Sequence, residues 1–159
     1  MIVPRKQVTA ALFKLLADCY PWVTADPRLQ LPEDLPGGQQ PALFLVKPQE
    51  HLDAEPPSFM MPKYTLTYFA LILVYSPSVG IGAGEFSAED LMADILDAVD
   101  DALIGPRFGE PNTLGGLVTN CFISGDIFID TPVFFEHCAI WVPIKCIVGG
   151  GLSCVPRKG

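Results

Sequence analysis

The chain has little with which to do chemistry. It holds 2 histidines and 5 cysteines in 159 residues. No CxxC occurs among Cys19, Cys121, Cys138, Cys146 and Cys154, and His51 and His137 are the only imidazoles to add. No zinc-ligand spacing can be assembled from such sequence neighbours, so the cysteines read as buried, reduced thiols of a cytosolic compartment. There is no G-x-S-x-G elbow. The glycine turn at Gly80, Gly82 and Gly84 fails the dinucleotide pattern because Glu85 stands at the third glycine position, and no G-K-[ST] follows. Glu85, Glu89 and Asp90 would repel a phosphate brought there. His137 adjoins Glu136, but neighbours on a strand face opposite ways and make a poor dyad. Asp126 and Asp130 would share one side of a regular strand, as paired carboxylates do, but the bulge or bend expected at Ser124-Gly125-Asp126 spoils that geometry. These absences predict a chain with no catalytic residue, no cofactor and no metal.

Basic residues are scarce too. Lys and Arg number 10 against 18 Asp and Glu, a net charge of −8, which excludes a protein that grips nucleic acid by its phosphates. An acidic surface past which DNA slides without sticking fits the same number. No uncharged run reaches the ~20 residues of a membrane helix. Near the N-terminus, Lys14 and Asp18 interrupt the apolar stretch that follows Arg5 and Lys6, and no small-x-small cleavage site follows. The segment reads as an amphipathic helix rather than a signal peptide.

Apolar residues are plentiful. They make up 50% of the chain, and the mean hydropathy is +0.36. That is high for a soluble monomer and predicts apolar surface buried between subunits. A chain of this length fits one domain and buries about 70% of its unfolded surface. The expected domain spans residues 1–148, with a mobile tail at 149–159.

Helical spacing of Val8, Leu12, Leu15, Leu16 and Cys19 predicts a helix over residues 4–19, with Pro4 in its first turn. Residues 24–40 are too rich in Pro and Gly for an element. A short strand is expected at 42–47 (ALFLVK), then a loop over 48–62. In that loop Phe59, Met60 and Met61 either fold back on the core or touch a neighbouring subunit.

Residues 64–75 (YTLTYFALILVY) carry no Gly, Pro or charge. They alternate at first and turn apolar on both faces from Phe69, which predicts a long strand with one face wet at its start and both covered at its end. A second helix is expected from Ser87, where Ser87 and Asp90 form a capping signature, to a stop at Gly105-Pro106. Leu91, Ile95, Val99, Ala102 and Leu103 would be its apolar stripe, with Glu89, Asp90, Asp94, Asp97, Asp100 and Asp101 opposite. Arms at 117–129 and 134–148 form a long hairpin, bent at Ser124-Gly125-Asp126. Pro143 has no N–H and predicts an edge or a bulge. The expected fold is α+β: a mixed, mainly antiparallel sheet with long strands, packed against two amphipathic helices.

This order, with ALFLVK, YTLTYFALILVY, SAEDLMADILDAVDDAL and AIWVPIKCIV, resembles the tail terminator and tail completion proteins of long-tailed bacteriophages over residues 4–148. The resemblance is one of architecture and segment texture. It implies an α/β fold and a six-membered ring at the head-proximal end of the tail tube, assembled in the host cytoplasm. The ring would end tube polymerisation and dock the head-completion (stopper) protein, with DNA passing through its hole. It implies partners in the tube protein and in other copies of the chain, no membrane, and no catalytic residue or cofactor. Candidate axial or inter-subunit contacts are Phe59, Met60, Met61, Gly80, Gly82, Gly84, Glu85, Arg107 and Phe108. Candidate lumen acids are Asp94, Asp97 and Asp101. The alternatives are another neck protein of the same virion, such as the stopper, a small α/β ligand-binding module or enzyme, or a free cytosolic dimer with no viral role.

Overall fold

A computed structural model of the chain describes residues 4–28, 41–52, 64–75, 84–105, 110–130 and 137–148. In chain order the elements are α1 (Arg5–Asp18), β1 (Thr24–Asp26), β2 (Ala42–Leu52), β3 (Tyr64–Tyr75), α2 (Gly84–Leu103), β4 (Asn120–Ile123), β5 (Phe128–Asp130) and β6 (His137–Val148). They form the expected mixed, mainly antiparallel sheet with two helices. The sheet order is β1-β2-β3-β6-β4, with β5 also paired to β6. Among the described pairings only β1–β2 is parallel. β3 runs the full predicted length and pairs antiparallel with β6 along all 12 residues, from Tyr64↔Val148 to Tyr75↔His137.

One sheet face carries the main core. From β3 it takes Leu66, Tyr68, Ala70, Ile72 and Val74, and from β6 Ile140, Val142, Ile144, Cys146 and Val148. Both helices cover this face. α1 contributes Val8, Leu12 and Leu16, while α2 contributes Met92, Ile95, Val99 and Leu103. The α2 stripe is therefore corrected by one position. Met92 is buried where Leu91 was expected, and Leu91 and Ala102 lie half-buried at its margins. The set 92, 95, 99, 103 follows helical periodicity with a narrower arc. β3 behaves as its sequence predicts, alternating up to Phe69 and buried on both faces at Ala70–Val74.

Several boundaries differ from expectation for identifiable reasons. Residues 24–26 form a strand inside the predicted loop, because parallel pairing of Thr24–Asp26 with Ala42–Phe44 overrides a weak local preference. β2 continues to Leu52, beyond the expected end at residue 47. It passes Pro48 through a bulge, where three steps from Val46 to Gln49 oppose two on β3. Proline is tolerated at such a site because the ladder is already interrupted. α2 begins at Gly84 rather than Ser87. The bend at Ser124-Gly125 divides the first hairpin arm into β4 and β5, where five steps from Ile123 to Phe128 oppose three on β6.

Pro143 does not sit at an edge, since β6 has neighbours on both sides. Its carbonyl accepts from the Ser124 N–H at 3.0 Å. The two polar groups of an antiparallel residue point to the same flank. The missing N–H therefore faces the β4–β5 break, and no bond to β3 is lost.

The β2 bulge has a second consequence. An extra residue transfers every following side chain to the other face. Glu50 therefore arrives on the helix-covered face, where Arg5 Nε donates to its Oε2 at 2.8 Å. The Lys47 ammonium also hydrogen-bonds Glu50, and the Arg5 guanidinium lies 4.9 Å over the Tyr64 ring. α1 has no side-chain cap and no acid in its first turn, where a cation opposes the helix dipole. Glu50 supplies the missing negative charge from another strand. Deeper in the same joint, Thr9 Oγ1 and Tyr68 Oη lie 2.9 Å apart in a hydrogen bond. Burial pushes the Tyr68 phenol up to about 12, so it stays neutral.

Glu50 makes a pH-dependent contribution. Its carboxyl is held below the usual range by the Lys47 hydrogen bond, against some opposition from burial and with help from Arg5. A lowered folded value gives stability that is present above the unfolded value of about 4.3 and lost as the pH falls through the folded one. Glu50→Gln is expected to lower the urea midpoint relative to the parent at about pH 6, with the gap closing toward about pH 3. A gap that persists unchanged into acid would contradict the ion-pair account.

Candidate interaction surface

The sheet face away from the helices carries a second apolar cluster. Ala42 and Phe44 of β2 and Leu71 and Leu73 of β3 are buried in it, with Ala139 and Trp141 packed alongside. The Phe69 and Trp141 rings meet edge to face, 6.2 Å between centroids at 82°, a favourable arrangement of aromatic quadrupoles. Among the described residues, this cluster is built from sheet residues alone. Register places Phe128 on the same face, opposite Trp141. Val46, Phe69 and Phe122 on this face are half-buried.

The sheet edge beside β6 is the most apolar exposed feature. Phe128 is 61% exposed and Ile129 48% exposed. They are consecutive strand residues, so they project to opposite faces, and β5 meets β6 on one side only among the described pairings. An exposed edge with apolar side chains on both faces is an adhesive surface. Val23 and Ile104 are 58% and 60% exposed, and neither adjoins another exposed large apolar residue in the sequence. In the sequence Phe128 and Ile129 fall inside the predicted hairpin arm 117–129 and are not among the candidate contacts. The signal was present in two adjacent apolar residues next to a glycine bend, which a strand sends to opposite faces.

The predicted acids take one stripe of α2. Asp90, Asp94, Asp97 and Asp101 recur at intervals of three and four, and all are exposed, as is Asp100 beside them. The last turn of α2 has no basic residue. Asp100 and Asp101 stand there against the negative end of the helix dipole, which costs the helix stability. Asn112 Nδ2 donates to the Ala102 carbonyl at 3.1 Å and relieves one orphan acceptor of that turn. A Cβ on Gly105 would come within 1.9 Å of the Glu110 carbonyl oxygen, so glycine permits this close return of the chain to the helix end.

Gly84 and Glu85 are the first two residues of α2 rather than part of a loop. Phe59, Met60, Met61, Gly80, Gly82, Arg107 and Phe108 lie outside the described residues. Among the described residues no group of three or more His, Cys, Asp or Glu is placed to hold a metal ion. No described helix is long and apolar enough to cross a membrane.

No known protein family matches the sequence, and no curated protein matches it either. Its fold does have a solved counterpart. It is similar to a chain in the virion of a native gene transfer agent (GTA) particle, with a TM-score of 0.51 and 14% identity. The match covers 90% of this chain and 95% of that one. At this identity the likeness concerns the fold, and it takes in nearly the whole of both chains.

Two substitutions separate the exposed edge from the packed face. Phe128→Ser is expected to change the unfolding free energy of the dilute chain by no more than about 0.5 kcal/mol, because its side chain is mostly in water already. Leu73→Ala is expected to cost about 2–5 kcal/mol by opening a cavity. Equal losses in denaturant titrations would show that Phe128 is packed within the subunit.

Proposed function

We propose that this chain is a structural virion protein that performs no reaction. It assembles as a ring at the head-proximal end of a tail tube, ends tube polymerisation, and joins the tail to the head-completion protein while DNA passes through its lumen. The observation that carries the reading is the whole-chain fold likeness to a virion chain of a gene transfer agent particle. The tail-terminator resemblance of the segment order supplies the finer assignment.

The surface is consistent with that role. Closing a ring covers exposed strand edges that would otherwise invite open-ended aggregation. The β5 edge, with Phe128 and Ile129 exposed, is the surface offered to the next copy. The Asp94, Asp97 and Asp101 stripe faces the hole and repels the DNA backbone, keeping it mobile. Of these acids Asp101 sits, with Asp100, in the last turn of the helix, where a negative charge weakens it, so its placement there answers a demand other than the helix's own stability. The axial ends of the ring contact the tube protein and the stopper.

Mass measurement of the purified chain tests assembly. The expected result is a closed oligomer of six subunits that dissociates on Phe128→Ser. A chain that stays monomeric at high concentration, and is also missing from particles, would refute the reading.

A further inference from the structure

Cys121 of β4 stands directly opposite Cys146 of β6. Both thiols are free and buried, and their sulfurs lie 3.3 Å apart. The backbone geometry suits a bond between them. The Ser124 N–H donates to the Pro143 carbonyl, which marks a hydrogen-bonded pair. Ladder alternation then makes Phe122–Lys145 hydrogen-bonded and Cys121–Cys146 non-hydrogen-bonded. Opposed residues of that second kind have Cα atoms about 4.5 Å apart, inside the roughly 4.4–6.8 Å that a disulfide spans. We propose that Cys121 and Cys146 form a redox-convertible pair, a dithiol that closes to an intramolecular disulfide and fastens β4 to β6. The inference rests on this chain's own geometry and stands apart from the ring reading.

The two sulfurs have different roles. Cys146 Sγ donates its hydrogen to Cys121 Sγ. That bond, and burial after it, push the Cys146 thiol far up and keep it protonated. Cys121 is the acceptor and lies on a strand of only 4 residues, so opening of β4 brings it to the oxidant first. The oxidant is a small-molecule disulfide. The Cys121 thiolate attacks one of its sulfurs, the reagent's S–S bond breaks, and one thiolate leaves. Cys146, once deprotonated, attacks the Cys121 sulfur of the mixed disulfide and expels the second thiolate. Two protein thiols are oxidised, the reagent is reduced to two thiols, and the two protons pass to those thiols. In a reducing cytosol the pair stays open, and oxidising surroundings close it.

The test refolds the full chain from denaturant in a glutathione–glutathione disulfide buffer, so that burial of the folded thiols does not limit access. Free thiols are alkylated and the peptides mapped by mass. The expected product is a chain lighter by two hydrogens, with the Cys121 peptide joined to the Cys146 peptide. Its thermal midpoint is expected to lie roughly 5–10 °C above that of the reduced chain, a gain removed by dithiothreitol. Cys121→Ser abolishes the link, and Cys19→Ser leaves it. Refolded chain with both residues alkylated, with either one joined to Cys19, Cys138 or Cys154, or with the bond formed but no reducible rise in midpoint, would overturn the proposal.

Discussion

The β3–β6 ladder is the constraint on which the rest of the molecule hangs. Its 12 consecutive pairs join two strands of 12 residues each. Every other strand attaches to one of them or through β2, and both helices lie on the face they present. The pairing fixes which side chains enter the core, because a slip of one residue would send Leu66, Tyr68, Ala70, Ile72 and Val74 to the opposite face. Neighbouring segments accommodate to this ladder. The bulge in β2 turns Glu50 toward α1, and the break between β4 and β5 lies opposite Pro143, on the flank where proline offers no N–H. Irregularities in the flanking strands thus serve particular contacts while the central pair stays regular.

A sheet of this kind leaves work for neighbours. Its helical face is closed by residues of the same chain, from Val8 and Leu12 on α1 to Ile95 and Val99 on α2. Its other face holds a smaller cluster around Phe44, Leu71 and Leu73. Beside it, the β5 edge exposes apolar side chains in both directions. Phe128 and Ile129 there are adjacent and exposed, the kind of edge that a second polypeptide can cover.

The parts legible in sequence were those with a strong period. The uninterrupted run Tyr64–Tyr75 became a strand with the expected change from one-sided to two-sided burial, and Val8, Leu12 and Leu16 marked the inner face of α1. Elements created by tertiary pairing were not legible. Thr24–Asp26 has no apolar pattern of its own and is a strand only because β2 lies beside it. Residues 48–52 read as loop because Pro48 and the polar residues after it hide a bulged continuation of β2. Pro143 implied an edge or a bulge, and the second is what occurs: it lies within the sheet, opposite the break between β4 and β5. The acids of α2 were visible as a stripe, but their use depends on what surrounds the subunit. The Phe128-Ile129 edge required knowledge that β5 pairs with β6 on one side only among the described pairings.

In the proposed assembly, the exposed β5 edge of each copy is completed by the next copy in a particle. Image reconstruction of purified particles tests it most directly. The expected density for this chain is a closed ring at the head-proximal end of the tail, with β5 of each copy against its neighbour and Asp94, Asp97 and Asp101 lining the hole. Particles that lack the chain, or a ring whose acidic stripe points outward while β5 faces solvent, would contradict it.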